Sequence, residues 1–205
     1  MNFKSILAIG AHPDDIELAC FGFLLKQQKL GSKIYAFIAS PDSLTNNPKT
    51  LTRIEESQKS FKLIPESILT IRDKNNINME NYQEIGDQIR NIILDNNIDT
   101  VIVHSNNDTM QEHRLLHDIT ITACRRLPLN ILLFKSPSSE VFQTNLIVNI
   151  ENEYETKILA IKQHSTQLNK PYLFDDSLTI FNQSWIGKKM GFNKTEEFIV
   201  YRIVM

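Results

Sequence analysis

Short apolar runs alternate with helix-period segments along the first two-thirds of this chain, and that alternation leaves few folds open. Ser5 to Ala11, Lys33 to Ala39, Ser67 to Ile71, Thr100 to His104 and Asn130 to Lys135 read as strands. Between them, Ile16 to Leu30, Leu51 to Leu63, Asn81 to Asn97 and Arg114 to Arg126 read as helices, with Gly31 as a C-terminal cap to the first. The third of these is clearly amphipathic, with Ile85, Ile89, Ile92 and Ile93 on one face. Strands rich in Ile and Val, separated by helices, predict an α/β fold: a Rossmann-like, doubly wound, mostly parallel sheet with helices on both faces. Asn145 to Ile150 and Glu197 to Val204 read as later strands, and Glu151 to His164 as a helix between them. With 205 residues and no linker, repeat or low-complexity segment, residues 1–205 are expected to form one domain.

Composition narrows the function classes. A formal net charge of -2 argues against a nucleic-acid partner, and pairs such as Arg125-Arg126 and Lys188-Lys189 read as solvated surface. Cys20 and Cys124 lie far apart, in no metal-type spacing, and read as small core residues. The brief apolar run at the N-terminus meets a histidine and two aspartates, unlike a signal peptide. No stretch is long and apolar enough to predict a membrane span, and the expectation is a cytoplasmic protein, with an oligomer left open.

Chemistry gathers where two strands end. The first strand runs into His12-Pro13-Asp14-Asp15-Ile16-Glu17, and adjacent carboxylates at a buried strand end repel each other unless a cation joins them. The fourth strand closes at His104, and a polar loop leads through Asp108, Met110 and Glu112 to His113. In the common strand order 3-2-1-4-5, strands one and four are neighbours and their carboxyl ends form the switch-point crevice. His12 and Asp15 then face His113. Two imidazoles and a carboxylate with an open position for water fit a catalytic zinc site, and Asp14 is left to take a proton. Taken singly, each residue has a plainer reading: His12 as a hydrogen-bonded core residue, Asp14 or Asp15 as a helix N-cap, His113 as surface. Their joint placement favours the metal. A Rossmann-type nucleotide site fares worse, because the first strand–helix turn lacks a Gly-rich loop and its carboxylates would repel a phosphate.

The segment His12 to Leu18 resembles the signature of the LmbE-like, or PIG-L, family of zinc-dependent N-deacetylases. Asp108 to His113 is similar to that family's second motif, usually Asp-x-His-x-Asp-His. The likeness continues through Ser136-Pro137-Ser138, Lys157 to Gln167 and Glu196-Glu197-Phe198, and so spans nearly the whole chain. The resemblance implies metal ligands His12, Asp15 and His113, with Asp14 as general base. It also implies Zn2+ (the same ligands accept other divalent metals) and a substrate that is an N-acetylated amino sugar, free or linked to a nucleotide or lipid.

Two positions depart from that pattern. Glu112 stands where the family usually has Asp. Met110 stands where it usually has a histidine that stabilises the tetrahedral intermediate or protonates the leaving amine, and a thioether does neither. A non-catalytic or weakly active metal- or sugar-binding relative is therefore the alternative reading. Among the remaining histidines, His104 and His117 are expected to be packed or on the surface, and His164 to line a substrate pocket. Arg53 and Asp73, near strand carboxyl ends, are expected to bind sugar hydroxyls, and Trp185 to stack on a sugar or serve the core or a lid.

Overall fold

The computed structural model describes residues 3–42, 50–167 and 185–204, with the backbone alone at 185 and 186. The side chain of Trp185 therefore lies outside the described residues. The strands are β1 (Ser5–Gly10), β2 (Lys33–Ile38), β3 (Ile68–Ile71), β4 (Thr100–His104), β5 (Asn130–Phe134), β6 (Leu146–Asn149) and β7 (Thr195–Arg202). They form one sheet in the order β3-β2-β1-β4-β5-β7-β6. The first five run parallel in the expected 3-2-1-4-5 order. β7 pairs antiparallel with both β5 and β6, so β7 runs against its neighbours while β6, at the edge, runs with the first five strands.

Side-chain alternation along β1 divides the core in two. Ile6 and Ala8 point to the face covered by α1 (Asp15–Ala19), α2 (Phe21–Lys29), α3 (Thr50–Phe61) and α6 (Tyr154–Lys162). Leu7 and Ile9 point to the other face, where α4 (Tyr82–Asp95) brings Ile85, Ile89 and Ile93, and α5 (Gln111–Ala123) brings Leu116 and Ile119. Because both faces are covered, β1 and β4 are buried along their whole length, as the apolar runs Ile6 to Gly10 and Val101 to Val103 require. A 3₁₀ turn (Ser165–Gln167) and α7 (Trp185–Lys189) complete the described elements.

The single helix expected over Ile16 to Leu30 is two helices, broken at Cys20. The reason is tertiary. Glu196 at the start of β7 accepts the backbone N–H groups of Gly22 at 2.9 Å and Phe23 at 2.6 Å, so a carboxylate caps a second helix start. Lys157 of α6 completes the buried pair, Nζ to Glu196 Oε1 at 2.7 Å. Gly31 follows α2 at φ +95°, the left-handed cap that the sequence suggests. α5 begins at Gln111, three residues before the expected start, which puts His113 in its first turn.

Candidate metal centre

β1 delivers the chain to the switch point between β1 and β4. Gly10 ends the strand, and a Cβ there would lie 3.0 Å from Ile16 Cγ1 and 3.2 Å from Asp15 Cβ. Glycine thus lets α1 turn back against the strand end. The turn is held from within: the His12 N–H donates to Asp15 Oδ2 at 2.7 Å. Asp14, between them, has φ 100° and ψ -26°, a left-handed conformation that costs a non-glycine residue about 1–3 kcal/mol. Asp14 occupies the N-cap position of α1, but its side chain makes no capping hydrogen bond there. Arg53 of α3 holds the strained turn by donating from Nη2 to the Pro13 carbonyl at 3.0 Å, while its Nη1 faces Asp42 at 3.4 Å.

Ligand atoms of His12, Asp15 and His113 all lie within 4.8 Å of one another, and all three residues are buried. His12 Nδ1 is 3.7 Å from Asp15 Oδ2, and His113 Nε2 is 3.5 Å from Asp15 Oδ1. Two atoms each about 2.0–2.1 Å from a tetrahedral zinc stand about 3.3 Å apart, close to this spacing. Each imidazole is gripped on its far nitrogen: His12 Nε2 lies 2.7 Å from Glu112 Oε2, and His113 Nδ1 lies 3.0 Å from Asp108 Oδ2. The near nitrogen of His113, Nε2, is buried with no hydrogen-bond partner. A lone pair left bare beside a carboxylate suits a cation, so this donor set fits a divalent metal.

A second grouping, His104 with Asp108 and His113, also lies within reach of one ion. Its atoms are otherwise engaged. Asp108 accepts from the Met110 N–H at 2.9 Å, from Ser138 Oγ at 2.7 Å and from Ser136 Oγ, in addition to His113. His104 Nε2 accepts the Ala11 N–H at 3.1 Å. The first grouping is the stronger candidate among the described residues.

The electrostatics agree. Burial would raise the Asp15 carboxyl, but His113, His104 and His12 outweigh it and hold Asp15 ionised well below the usual carboxylate range. Burial also works against the charged His113 ring, yet Asp15, Asp108 and Asp14 raise it, a measure of the negative potential at this point. His104 is pushed the other way, to about 4, by burial and then by His113, so it is neutral. Its ring stacks on His113 with centroids 3.9 Å apart and meets Phe134 edge-on.

His104 is packed, as expected, but it also forms the back wall of the candidate centre, with Nε2 3.2 Å from Asp15 Oδ2. His117 is packed as well, its Nδ1 bonded to the His104 carbonyl at 2.8 Å. Met110 is 39% exposed at the N-cap of α5. The residues expected to bind sugar are placed differently from one another. Arg53 is buried and committed to Pro13 and Asp42. His164 is only 1% exposed and bonds Glu17 Oε1 at 2.9 Å, so it supports α1 from behind instead of lining an open pocket. Asp73 is exposed on the loop after β3, beside the buried Arg72. The carboxylate partners Asp108 and Glu112 went unassigned in the sequence, although their place just ahead of His113 was a usable signal, since ligating histidines are commonly held by carboxylates.

Comparison with known proteins gives this geometry a lineage. The family model described as "PIG-L: GlcNAc-PI de-N-acetylase" matches residues 7–124. A protein of Escherichia coli (strain K12) named as the uncharacterized deacetylase YaiS is 32% identical over 175 residues, covering 80% of this chain and 91% of that protein. Among solved structures, the N,N'-diacetylchitobiose deacetylase of Pyrococcus horikoshii superimposes with a TM-score of 0.78 at 19% identity, over 98% of this chain and 87% of its own. GalB, the 4-carboxy-2-hydroxymuconate hydratase of Pseudomonas putida KT2440, also reaches 0.78, at 13% identity over 98% of each chain. The architecture alone thus serves more than one reaction. The family model, by contrast, spans both motifs that meet at the candidate centre, and the curated relative extends the match along most of the sequence: the chain belongs to the PIG-L family of de-N-acetylases.

Proposed function

We propose that this chain is a metal-dependent hydrolase that removes the acetyl group from an N-acetylated amino sugar, with His12, Asp15 and His113 holding Zn2+ or a similar divalent ion. The observation that carries this reading is the pair of imidazoles, each held by a carboxylate on its far nitrogen, with its near nitrogen turned to Asp15. When bound, a divalent metal supplies Lewis acidity, lowering the pKa of water and polarising a carbonyl oxygen. Asp14 is the general base. Its carboxylate takes the proton of the attacking water and passes it to the amide nitrogen as the C–N bond breaks, releasing acetate and the free amine. Arg53 keeps that carboxylate in place through the Pro13 carbonyl. The name of the Pyrococcus relative makes short N-acetylglucosamine oligomers a first class of substrate to try, and the family description adds a lipid-linked N-acetylglucosamine.

Met110 favours a second reading, a metal- or sugar-binding relative with little turnover, because its thioether offers no proton to a leaving amine. Acetate release from a panel of N-acetyl amino sugars, with and without chelator, separates the two. The deacetylase reading expects release that stops on metal removal and in Asp14→Asn. Release that survives both would overturn the mechanism, and bound zinc with no release from any substrate would favour the second reading.

A further inference from the structure

Glu112 ties the candidate centre to the loop after β3. It lies in the first turn of α5, one residue before the candidate ligand His113, yet its carboxylate turns to the other imidazole. Oε2 lies 2.7 Å from His12 Nε2, and Oε1 accepts the backbone N–H of Ile77 at 2.8 Å. Each oxygen therefore has one partner, and both partners come from outside α5.

Ile77 belongs to the loop after β3, and that loop is itself fixed. Arg72, whose side chain is 1% exposed, donates from Nη1 to the carbonyls of Lys74 at 3.0 Å and Asn76 at 3.2 Å. The Asn76 N–H is bonded in turn to Ser40 Oγ at 2.9 Å, at the end of β2. The Ile77 amide thus stands on rigid backbone, and it holds Glu112 in one orientation.

We infer that Glu112 is a positioning residue for the metal: it fixes His12 as the Nε2–H tautomer, so that the Nδ1 lone pair faces Asp15. An ionised carboxylate accepts and does not donate, so the proton of the hydrogen bond belongs to His12 Nε2. A histidine that ligates a metal does so as the neutral imidazole, which carries one proton, so with Nε2 protonated it is Nδ1 that is left for the ion. His12 Nδ1 is the atom turned toward Asp15, at 3.7 Å from Oδ2. The extra methylene of Glu over Asp gives the reach to span from α5 to both His12 and Ile77. This inference rests on the reading that His12 binds the metal, and it adds which nitrogen does so and what keeps that nitrogen free.

The isosteric Glu112→Gln variant tests it, because an amide cannot accept from two N–H donors through its two ends. If its oxygen faces Ile77, its NH2 faces His12 Nε2 and drives the ring to the Nδ1–H tautomer. Two measurements follow on the purified protein. Nitrogen-15 NMR of the metal-free protein reads the His12 tautomer, and competition against a chromophoric chelator reads zinc affinity. The expected result is an Nε2–H ring in the wild type, a shift toward Nδ1–H in Glu112→Gln, and zinc affinity lower by about tenfold to a hundredfold. An unchanged tautomer, or zinc held equally tightly by both proteins, overturns the role given to Glu112. A wild-type chain with the Nε2–H ring that takes up no zinc overturns the metal reading instead, so the two failures are distinct.

Discussion

Arg53 donates to the carbonyl oxygen of Pro13 across 3.0 Å, joining α3 to a turn forty residues earlier in the chain. The next residue, Asp14, is the one with φ 100°. The guanidinium therefore holds the peptide that leads into the proposed base, and its other arm is braced by Asp42. Arg53→Lys retains the charge but loses the planar fork that reaches two acceptors. Misplacement of a reacting group by about 1 Å costs on the order of a hundredfold in rate. Arg53→Lys is expected to lower kcat by about that much with zinc affinity nearly unchanged, as steady-state kinetics and chelator competition would show together. Loss of zinc binding in step with activity would place Arg53 with the metal ligands instead.

Met110 has a backbone suited to its position, an extended N-cap whose N–H is taken by Asp108 Oδ1 at 2.9 Å. Its side chain is replaceable without disturbing the core. Met110→His restores a proton donor there, and a single well-placed partner to developing charge is worth roughly a hundredfold in rate. Turnover on the best substrate is expected to rise by about tenfold or more. An unchanged rate would show that another group already serves, or that the pocket does not present the amide to this position.

The Lys157–Glu196 pair is buried at both ends, and Glu196 also accepts two amides at the start of α2. Removing one member of such a pair takes the close counter-charge from the buried group that remains. Glu196→Ala is expected to destabilise the fold by about 3–5 kcal/mol, seen as a lower denaturant midpoint. Lys157→Met combined with Glu196→Gln removes both charges and keeps an acceptor for α2. That double variant should recover a large part of the loss. Additive losses in the double variant would mean that the two side chains do not act as a pair.

Both described cysteines are buried. Burial, followed by Glu196, raises the Cys20 thiol, and burial pushes Cys124 up to about 12. A thiol with that pKa is ionised at about one part in ten thousand at pH 8, and only the thiolate reacts. Neither cysteine is expected to react with a disulfide reagent in the native protein, and both should react once guanidinium unfolds it. A fast native reaction at one site would show local opening of α2 or of the end of α5.

What could be seen in the sequence follows from the range of the interactions involved. The run Ile6 to Gly10 shows its burial by composition, and the alternation of such runs with helices leads to the 3-2-1-4-5 order found in the structure. That order makes His12, Asp15 and His113 neighbours before any coordinates are known. The break at Cys20 was hidden, because local periodicity runs straight through it and its cause is Glu196, at the far end of the chain. The roles of Asp108 and Glu112 were hidden for a similar reason. Five residues separate Asp108 from His113, and a hundred separate Glu112 from His12, and only loop geometry decides which carboxylate holds which ring. The burial of His164 against Glu17 could not be read from a pattern either, because Glu17 lies 147 positions away.

The cap on α2 also sets a schedule for synthesis. Gly22 and the carboxylate that receives its N–H are separated by 174 positions, and the serines that steady Asp108 lie more than a hundred positions beyond His12. The ribosome therefore releases the His12–Asp15 motif more than a hundred residues before Ser136, Ser138 and Glu196, the groups that brace its surroundings. A nascent chain stalled before β7 carries every proposed metal ligand without the clasp that steadies the helices behind them.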